Sequence, residues 1–141
     1  MKFDVMSHKS VGPVSFGMTR SEVRKALASP VHSFMRNEDD EAKTDEFEKL
    51  GVYVEYDSKD RCIAVEVFSP GEPWFQGRNL LGEPYAKIRA WIQRQDKGVE
   101  IDEAGLVSRK LGIGFYADIK PSDRASHPES AIAFKPGYYD E

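Results

Sequence analysis

The chain has 141 residues, a hydrophobic share of 40% and a formal net charge of −4. This length is typical of one domain and buries roughly 70% of the unfolded surface, so folding requires neither a disulfide nor a metal. The acidic balance argues against a general nucleic-acid binder, and no stretch approaches the about 20 apolar residues that a membrane span needs. The only cysteine, Cys62, forms no internal disulfide and is expected to be buried. No signal peptide is recognisable at residues 1–10, so we expect one soluble, cytoplasmic domain over residues 1–141.

The first predicted helix follows an extended segment at residues 11–18. Thr19 is placed as its N-cap and Glu22 as the partner in a capping box. Val23 and Leu27 are spaced to face the core, and the helix is expected to end before Pro30 because the residue before a proline avoids the α region.

A β-hairpin is the clearest β-structure that the sequence predicts. It pairs residues 51–56 with residues 62–68 across a polar turn at 57–60. Before it, residues 31–37 are predicted as a strand and the acidic residues 38–45 as a loop.

The second half of the chain begins with a divider rich in glycine and proline at residues 69–82. A second helix is predicted to start at Pro84, a favoured first helical residue, and to end at Lys97–Gly98. Further strands are predicted at residues 99–101, 111–119 and 131–134.

The two halves share an order of elements, which predicts an internal repeat. Residues 17–27 align with 82–92, and Lys49-Leu50-Gly51 recurs as Lys110-Leu111-Gly112. A three-residue match with a common element order also arises by chance. We predict pseudo-repeats at about 11–70 and 76–137, and an α+β fold. In it, two tandem helix–β–β(–β) units form a largely antiparallel sheet with the helices packed on one face.

No residue pattern points to catalysis, a cofactor or a metal. The three histidines, His8, His32 and His127, are widely separated and lack ligand spacing. There is no nucleophile elbow and no P-loop, and Gly112-Ile113-Gly114 lacks the third glycine of a dinucleotide fingerprint. One sequence does not exclude a serine or cysteine constellation assembled by the fold, but the pattern favours binding over catalysis.

Three clusters are candidates for binding a protein partner, because aromatic residues beside acids suit interface anchors with a charged rim. The acidic run could also be a solvated loop, the Trp-Phe pair could pack the linker, and the tail could be a frayed terminus. The candidate residues are Glu38, Asp39, Asp40, Glu41, Trp74, Phe75, Tyr138 and Tyr139.

The segment Gly12-Pro13-Val14-Ser15-Phe16-Gly17-Met18-Thr19-Arg20-Ser21-Glu22-Val23 resembles the start of BamE/SmpA-like units. Tandem units of this general shape also occur in the β-lactamase inhibitor protein fold. The chain has no lipidation cysteine like that of BamE, so the resemblance implies a fold and not a role in outer-membrane assembly. In size and acidity the chain is also similar to bacterial immunity proteins, which implies a toxin domain as the partner.

We therefore expect a non-enzymatic protein-binding module, most specifically a cytoplasmic immunity protein that neutralises a bacterial toxin. One alternative is a small-molecule-binding or enzymatic domain with a pocket between helices and sheet, lined by Tyr53, Tyr56, Trp91 or Tyr116. Another alternative is a structural homodimer joined through sheet edges. No nucleic acid and no membrane partner is expected.

Overall fold

The computed structural model describes residues 1–117 and 126–139. Its two helices are α1 (Arg20–Leu27) and α2 (Tyr85–Gln95). The strands before α2 are β1 (Lys2–Met6), β2 (Ser10–Val11), β3 (Val14–Ser15), β4 (His32–Phe34), β5 (Thr44–Phe47), β6 (Val52–Tyr56), β7 (Cys62–Phe68), β8 (Glu72–Phe75) and β9 (Arg78–Asn79). Those after it are β10 (Glu100–Asp102), β11 (Gly105–Ser108), β12 (Ile113–Tyr116) and β13 (Ser130–Phe134).

The predicted α+β class, with helices packed on one face of a single sheet, is wrong. Strands account for 40% of the structure and helices for 15%, and the strands form two sheets. The cause of the error is the number of strands of two to four residues, whose sequences are too short to show an alternating pattern. Neither helix in the described part of the chain is long and apolar enough to cross a membrane.

The large sheet has eight strands in the order β10-β11-β12-β13-β7-β6-β5-β4, and every neighbouring pair is antiparallel. One half is a four-strand meander that follows α1, and the other is a four-strand meander that follows α2. The two meanders join edge to edge where β7 pairs with β13. The predicted pseudo-repeats at about 11–70 and 76–137, and their origin by duplication, stay predictions.

The small sheet has five strands in the order β3-β2-β1-β8-β9. Its centre is a parallel pair in which Phe3 of β1 lies opposite Pro73 of β8. The segment 69–82, predicted as a divider, therefore supplies two strands and joins the N-terminal residues to the fold. Side chains of the small sheet, including Val11 and Phe75, share one buried cluster with the large sheet.

Helix α1 begins with the capping box that the sequence predicts. The amide of Glu22 donates to Thr19 Oγ1 at 3.2 Å, and the amide of Thr19 donates to Glu22 Oε1 at 3.1 Å. Val23 and Leu27 are buried, and Ala28 ends the helix in a left-handed conformation before Pro30. These contacts fix the positions of Arg20 and Arg24 on α1.

Replacing Thr19 by alanine is expected to destabilise the protein by about 1 kcal/mol, because the amide of Glu22 in the first turn loses its side-chain acceptor. Urea denaturation of the Thr19→Ala variant measures the effect. The exposed neighbour Ser21 is the control, and Ser21→Ala is expected to change stability by less than about 0.5 kcal/mol. Equal losses in both variants would contradict the role of the cap.

Candidate functional site

The two faces of the large sheet differ in what covers them. One face, which includes Val54, Val65 and Ile113, belongs to the main core together with both helices and the small sheet. On the other, Tyr53 lies opposite Glu66 and Glu66 opposite Ile132. We call this second side the outer face and define it by Tyr53, Glu55, Ala64, Glu66, Phe68, Ile132 and Phe134.

A cleft of about 400 Å³ opens at one end of the outer face. It lies between the acidic loop (residues 38–42) and the C-terminal turn (residues 135–139). The fold thus brings together two of the three predicted clusters, which are about a hundred residues apart in the sequence. The cleft is lined by Asp39, Asp40, Glu41, Ala42, Thr44, Glu55, Tyr56, Ile63, Tyr138 and Tyr139.

The acidic loop is held by hydrogen bonds at both ends. Asp40 accepts a hydrogen bond of 2.9 Å from the amide of Asn37, and Glu41 accepts one of 3.2 Å from the amide of Ser58 in the β6–β7 turn. Glu38 and Asp39 are exposed. The loop therefore presents carboxylates to solvent and to the cleft from a defined position.

The C-terminal turn packs its two tyrosines on the outer face. Tyr138 and Tyr139 lie 5.6 and 4.8 Å from the ring of Phe134, and they partly cover a second, small buried cluster of Ala64, Ile132 and Phe134. The hydroxyl of Tyr138 donates a 2.7 Å hydrogen bond to Glu55. The tail is thus a docked turn at the cleft.

Glu55 is the least solvated carboxyl group of the cleft. Burial raises its pKa above the usual 4.5, although the hydrogen bond from Tyr138 and the charge of Arg36 act in the opposite direction. Burial and nearby charge also raise the pKa of Tyr139 to about 12. Burial also raises the pKa of Tyr138, so both tyrosine hydroxyls are neutral at physiological pH.

Arg36 is held on the outer face by two glutamates. Its guanidinium lies 2.8 Å from Glu66 and 4.0 Å from Glu55, and it stacks over the ring of Tyr53 at 4.7 Å. Glu66 is 5% exposed and also accepts a 2.7 Å hydrogen bond from Ser130. The outer face therefore already contains one guanidinium bound by carboxylates and an aromatic ring.

An aromatic strip (His32, Phe34, Tyr53 and Phe68) continues from Arg36 across the outer face. Successive ring centroids are 5.7, 6.0 and 4.7 Å apart. Phe34, Tyr53 and Phe68 are half-buried and belong to neither buried cluster. Half-buried aromatic rings in such a position, with Glu46 paired to Tyr53 beside them, have the composition of an interface centre with a polar rim.

A buried ion network on the opposite side of the sheet fixes the end of the acidic loop. Asp45 is fully buried and accepts hydrogen bonds from Arg20 at 2.7 Å, from Nη2 and Nε of Arg24 at 2.8 and 2.9 Å, and from Tyr56 at 3.0 Å. Arg20 also donates to the carbonyl of Lys43 at 2.8 Å. The prediction of a loop through residue 45 is therefore wrong at its end, where β5 begins.

The third predicted cluster lies away from the cleft, on β8 of the small sheet. Phe75 is buried and packs edge-on against Trp91, with 6.1 Å between ring centroids. Trp74 is half-buried, donates a 3.1 Å hydrogen bond to Glu72 and lies under the ammonium group of Lys2. Neither side chain lines the cleft, and Phe75 has a packing role.

The four residues suggested for a pocket between helices and sheet occupy different surroundings. Tyr53 and Tyr116 lie on the outer side of the large sheet, Tyr56 is in the core, and Trp91 lies beside Arg78 of β9. Where the two sheets meet, the gap around Val11, Val65 and Leu80 has no room for a water molecule. No ligand site between helices and sheet is assembled from these four residues.

The histidines also occupy separate places. His8 contacts the carbonyl of Lys110 at 2.9 Å, His127 contacts the carbonyl of Leu81 at 2.8 Å, and His32 is in the aromatic strip. Among residues 1–117 and 126–139, no three His, Cys, Asp or Glu side chains are grouped to hold a metal ion. Comparison with protein families, curated proteins and solved structures found no match to this chain. The function is therefore argued from the cleft and the outer face.

Proposed function

We propose that this chain is a non-enzymatic binding domain for a basic protein, and specifically an immunity protein that neutralises a toxin domain. The observation that carries the proposal is the meeting of the acidic loop and the C-terminal tyrosines in one cleft of about 400 Å³. Carboxylates beside tyrosine rings bind cationic side chains both by charge and by cation–π attraction. A nuclease toxin, whose substrate is a polyanion, is the kind of partner with the required basic surface.

The charge distribution supports a basic partner. Asp39, Asp40 and Glu41 flank the cleft, and Arg36 is already paired with Glu66. A field of one sign at a cleft accelerates association with an oppositely charged protein, and this effect weakens with salt. The association rate is therefore expected to fall steeply as ionic strength rises.

The outer face supplies the apolar contact that charge alone does not. The aromatic strip and the C-terminal tyrosines lie on the same side of the sheet, with Arg36 and Glu66 between them. Interfaces gain most of their energy from a few buried aromatic and arginine contacts surrounded by a polar rim. The proposed interface consists of the cleft as the charged part and the strip as the apolar part.

The first experiment is affinity purification of the tagged chain from its native host, followed by identification of bound proteins and calorimetry with the purified partner. We expect a one-to-one complex with a basic protein whose toxicity is suppressed when the chain is co-expressed. A stable complex with an acidic protein, or growth arrest that persists on co-expression, would contradict the proposal. Recovery of a dimer of the chain alone by light scattering would favour the homodimer alternative.

Neutralising the acidic loop is expected to weaken the complex. The variant Asp39→Asn/Asp40→Asn/Glu41→Gln keeps the hydrogen-bond acceptors of the loop but removes three charges, and we expect its Kd to rise by about tenfold or more. Calorimetry at low and physiological salt measures the change.

The matched control, Glu48→Gln/Glu100→Gln/Glu103→Gln, changes the net charge equally at exposed positions that do not line the cleft. It is expected to leave the Kd nearly unchanged. Equal weakening by both triple variants would mean that net charge, and not the cleft, attracts the partner.

A further inference from the structure

We infer that strand β4, at one edge of the eight-stranded sheet, binds an extended segment of the partner as an additional antiparallel strand, and that this segment has basic residues at its N-terminal end. The inference deepens the proposed function and rests on it for the existence of a basic protein partner. The pairing itself is a property of the free chain and is measurable with synthetic peptides.

The two edges of the large sheet differ in how they are protected against strand addition. The β10 edge has three exposed residues, Glu100–Asp102, of which two are acidic, and exposed charge is a common means of preventing unwanted pairing. Between Pro30 and Arg36, the β4 edge has no acidic residue, lysine, arginine or proline. No other described strand pairs with the outer side of β4, so this side presents backbone N–H and C=O groups for pairing.

Exposed apolar side chains flank β4. Val31 is 37% exposed and Met35 is 47% exposed, and they are two of the six large apolar side chains exposed in the described residues. By alternation both lie on the side of Ser33, whereas His32 and Phe34 lie on the outer face, where their rings stack at 5.7 Å. An added strand would therefore cover Val31 and Met35 on one side and the end of the aromatic strip on the other.

Contacts with helix α1 hold β4 in position for pairing. Strand β4 pairs with β5, in which Asp45 lies opposite Ser33. Arg20 donates a hydrogen bond of 3.4 Å to Ser33 Oγ and one of 2.7 Å to Asp45, so one side chain of α1 binds both strands. An edge that is already fixed loses little conformational entropy when another strand binds, and main-chain hydrogen bonds then contribute to affinity.

The charge next to β4 defines the chemistry and the direction of the segment. The exposed carboxylates of Glu38 and Asp39 follow Phe34 within five residues, and Arg36 between them is bound by Glu66 at 2.8 Å. Every neighbouring pair in the large sheet is antiparallel, and such pairing is the more stable per residue. An antiparallel strand on β4 has its N-terminal end beside the acidic loop, so its basic residues belong there.

The test titrates capped synthetic peptides into the isotope-labelled chain and follows the amide signals by NMR. The probe has a lysine pair at its N-terminal end followed by alternating valine and threonine. We expect the amides of residues 31–35 to shift and those of residues 100–102, at the opposite edge, to stay unchanged. A peptide of the same composition with the lysine pair at its C-terminal end is expected to bind about fivefold more weakly. Equal or tighter binding of that peptide would overturn the assigned direction.

Backbone pairing is tested by N-methylation of the probe, which removes amide donors and keeps every side chain and charge. Alternate amides of a strand point to the same edge, so one probe is methylated at odd positions and another at even positions. We expect one of them to lose affinity by about tenfold or more and the other to bind nearly like the parent peptide. Equal binding of both would overturn strand addition.

A matched pair of variants places a lysine at each edge of the sheet. Met35→Lys adds a cation and removes apolar surface at the β4 edge, and we expect it to weaken binding of the basic probe by about tenfold. Ile101→Lys makes a similar change on β10, where Ile101 is 40% exposed, and is expected to leave binding unchanged. Equal weakening by the two variants would overturn the assignment to β4.

Three further outcomes would overturn the inference. The first is an absence of probe binding at about 1 mM, and the second is a shift of the β10 amides in place of those near β4. The third is a wild-type dimer in light scattering that Met35→Lys dissociates, because the edge would then bind a second copy of this chain. Capture of a basic toxin would support the proposed function even if the probe failed to bind, so the two failures are distinguishable.

Discussion

Replacing Asp45 by alanine is expected to lower the free energy of unfolding by about 3–5 kcal/mol, because it removes a buried carboxylate to which two arginines and a buried tyrosine donate. Asp45 is fully buried, and three side chains, Arg20, Arg24 and Tyr56, donate hydrogen bonds to it. Removing the carboxylate leaves the Tyr56 hydroxyl and Arg24 without this partner, while Arg20 keeps Asp60 and the carbonyl of Lys43. Urea denaturation of the Asp45→Ala variant measures the loss.

The matched control is Asp60, which binds the other side of the Arg20 guanidinium at 3.0 Å. Its side chain is 54% exposed to solvent. Asp60→Asn is expected to cost less than about 1 kcal/mol, because exposed ion pairs contribute little. Asparagine also tolerates the positive φ of 61° at this position. Similar losses in both variants would show that the Arg20 contacts, and not burial of Asp45, determine the effect.

The same carboxylate contributes to stability in a pH-dependent way. Burial alone would raise the pKa of Asp45, but hydrogen bonds from Arg24 and Tyr56 and the charge of Arg20 lower it below the usual 3.8. A lowered pKa in the folded state means that this stabilisation is present above the usual value and is lost as pH falls through the folded value. Asp45→Asn is therefore expected to lose less stability than the wild type on acidification below about pH 4.

Local signals predicted the parts of the fold that local contacts form. The capping box of Thr19 and Glu22 and the hairpin at residues 52–68 were recognisable because each depends on residues close together in the chain. The start of the second helix at Pro84 was recognisable for the same reason. These elements are correct within a residue or two.

The small sheet was not predictable in the same way. Its central pair joins β1 to β8, about seventy residues later, and strands β2, β3 and β9 have only two residues each. Glycine and proline in the segment 69–82 suggested a linker, but Pro73 and Phe75 are buried in a strand by pairing with the N-terminus. Tertiary pairing overrides the local propensity here.

The candidate site was predicted in pieces. The acidic run and the C-terminal tyrosines were each singled out by composition, whereas their positions around one cleft depend on the pairing of β13 with β7. Asp45, assigned to the loop, is instead a buried strand residue because Arg20 and Arg24 neutralise it. Acidic composition alone does not distinguish a solvated carboxylate from a paired one.

Glu55 was missed, although a signal for it was present. The stretch Val52-Tyr53-Val54-Glu55-Tyr56 alternates, so Tyr53 and Glu55 belong on one face and the two valines on the other. The valines are fully buried in the core, which places Glu55 on the outer face beside Tyr53. Arg36 gave no comparable signal, since its pairing with Glu66 depends on the path of the loop after β4.

Replacing Gly51 by alanine is expected to destabilise the fold by about 2–5 kcal/mol. Gly51 has a φ of 73°, where a side chain costs about 1–2 kcal/mol. A Cβ atom here would also collide with the carbonyl of Phe68 and approach the amide of Gly71 to 2.7 Å. These are backbone atoms, so relief requires a shift of β6 against β7, which adds about 1–3 kcal/mol.

Gly77 is the matched control, because its φ of 79° is almost the same and an added Cβ would meet nothing within 4 Å. Gly77→Ala is expected to cost only the conformational part, about 1–2 kcal/mol. The difference in the free energy of unfolding between the two variants, measured by urea denaturation, therefore reports only the collision of the added Cβ with the neighbouring backbone. Equal losses would mean that the backbone at Gly51 relaxes freely.

The position of Gly51 links this prediction to the repeated Lys-Leu-Gly and to the outer face. Its carbonyl accepts the amide of Phe68 at 2.8 Å, and that of Gly112 accepts the amide of Phe134 at 3.0 Å in the second half. Both glycines have positive φ, and each precedes the third strand of its meander, β6 or β12. A shift at Gly51 moves Phe68 against Tyr53, so Gly51→Ala is also expected to disturb the aromatic strip, which NMR of the ring protons detects. Unchanged ring shifts in a folded Gly51→Ala protein would show that the strip is positioned independently of this turn.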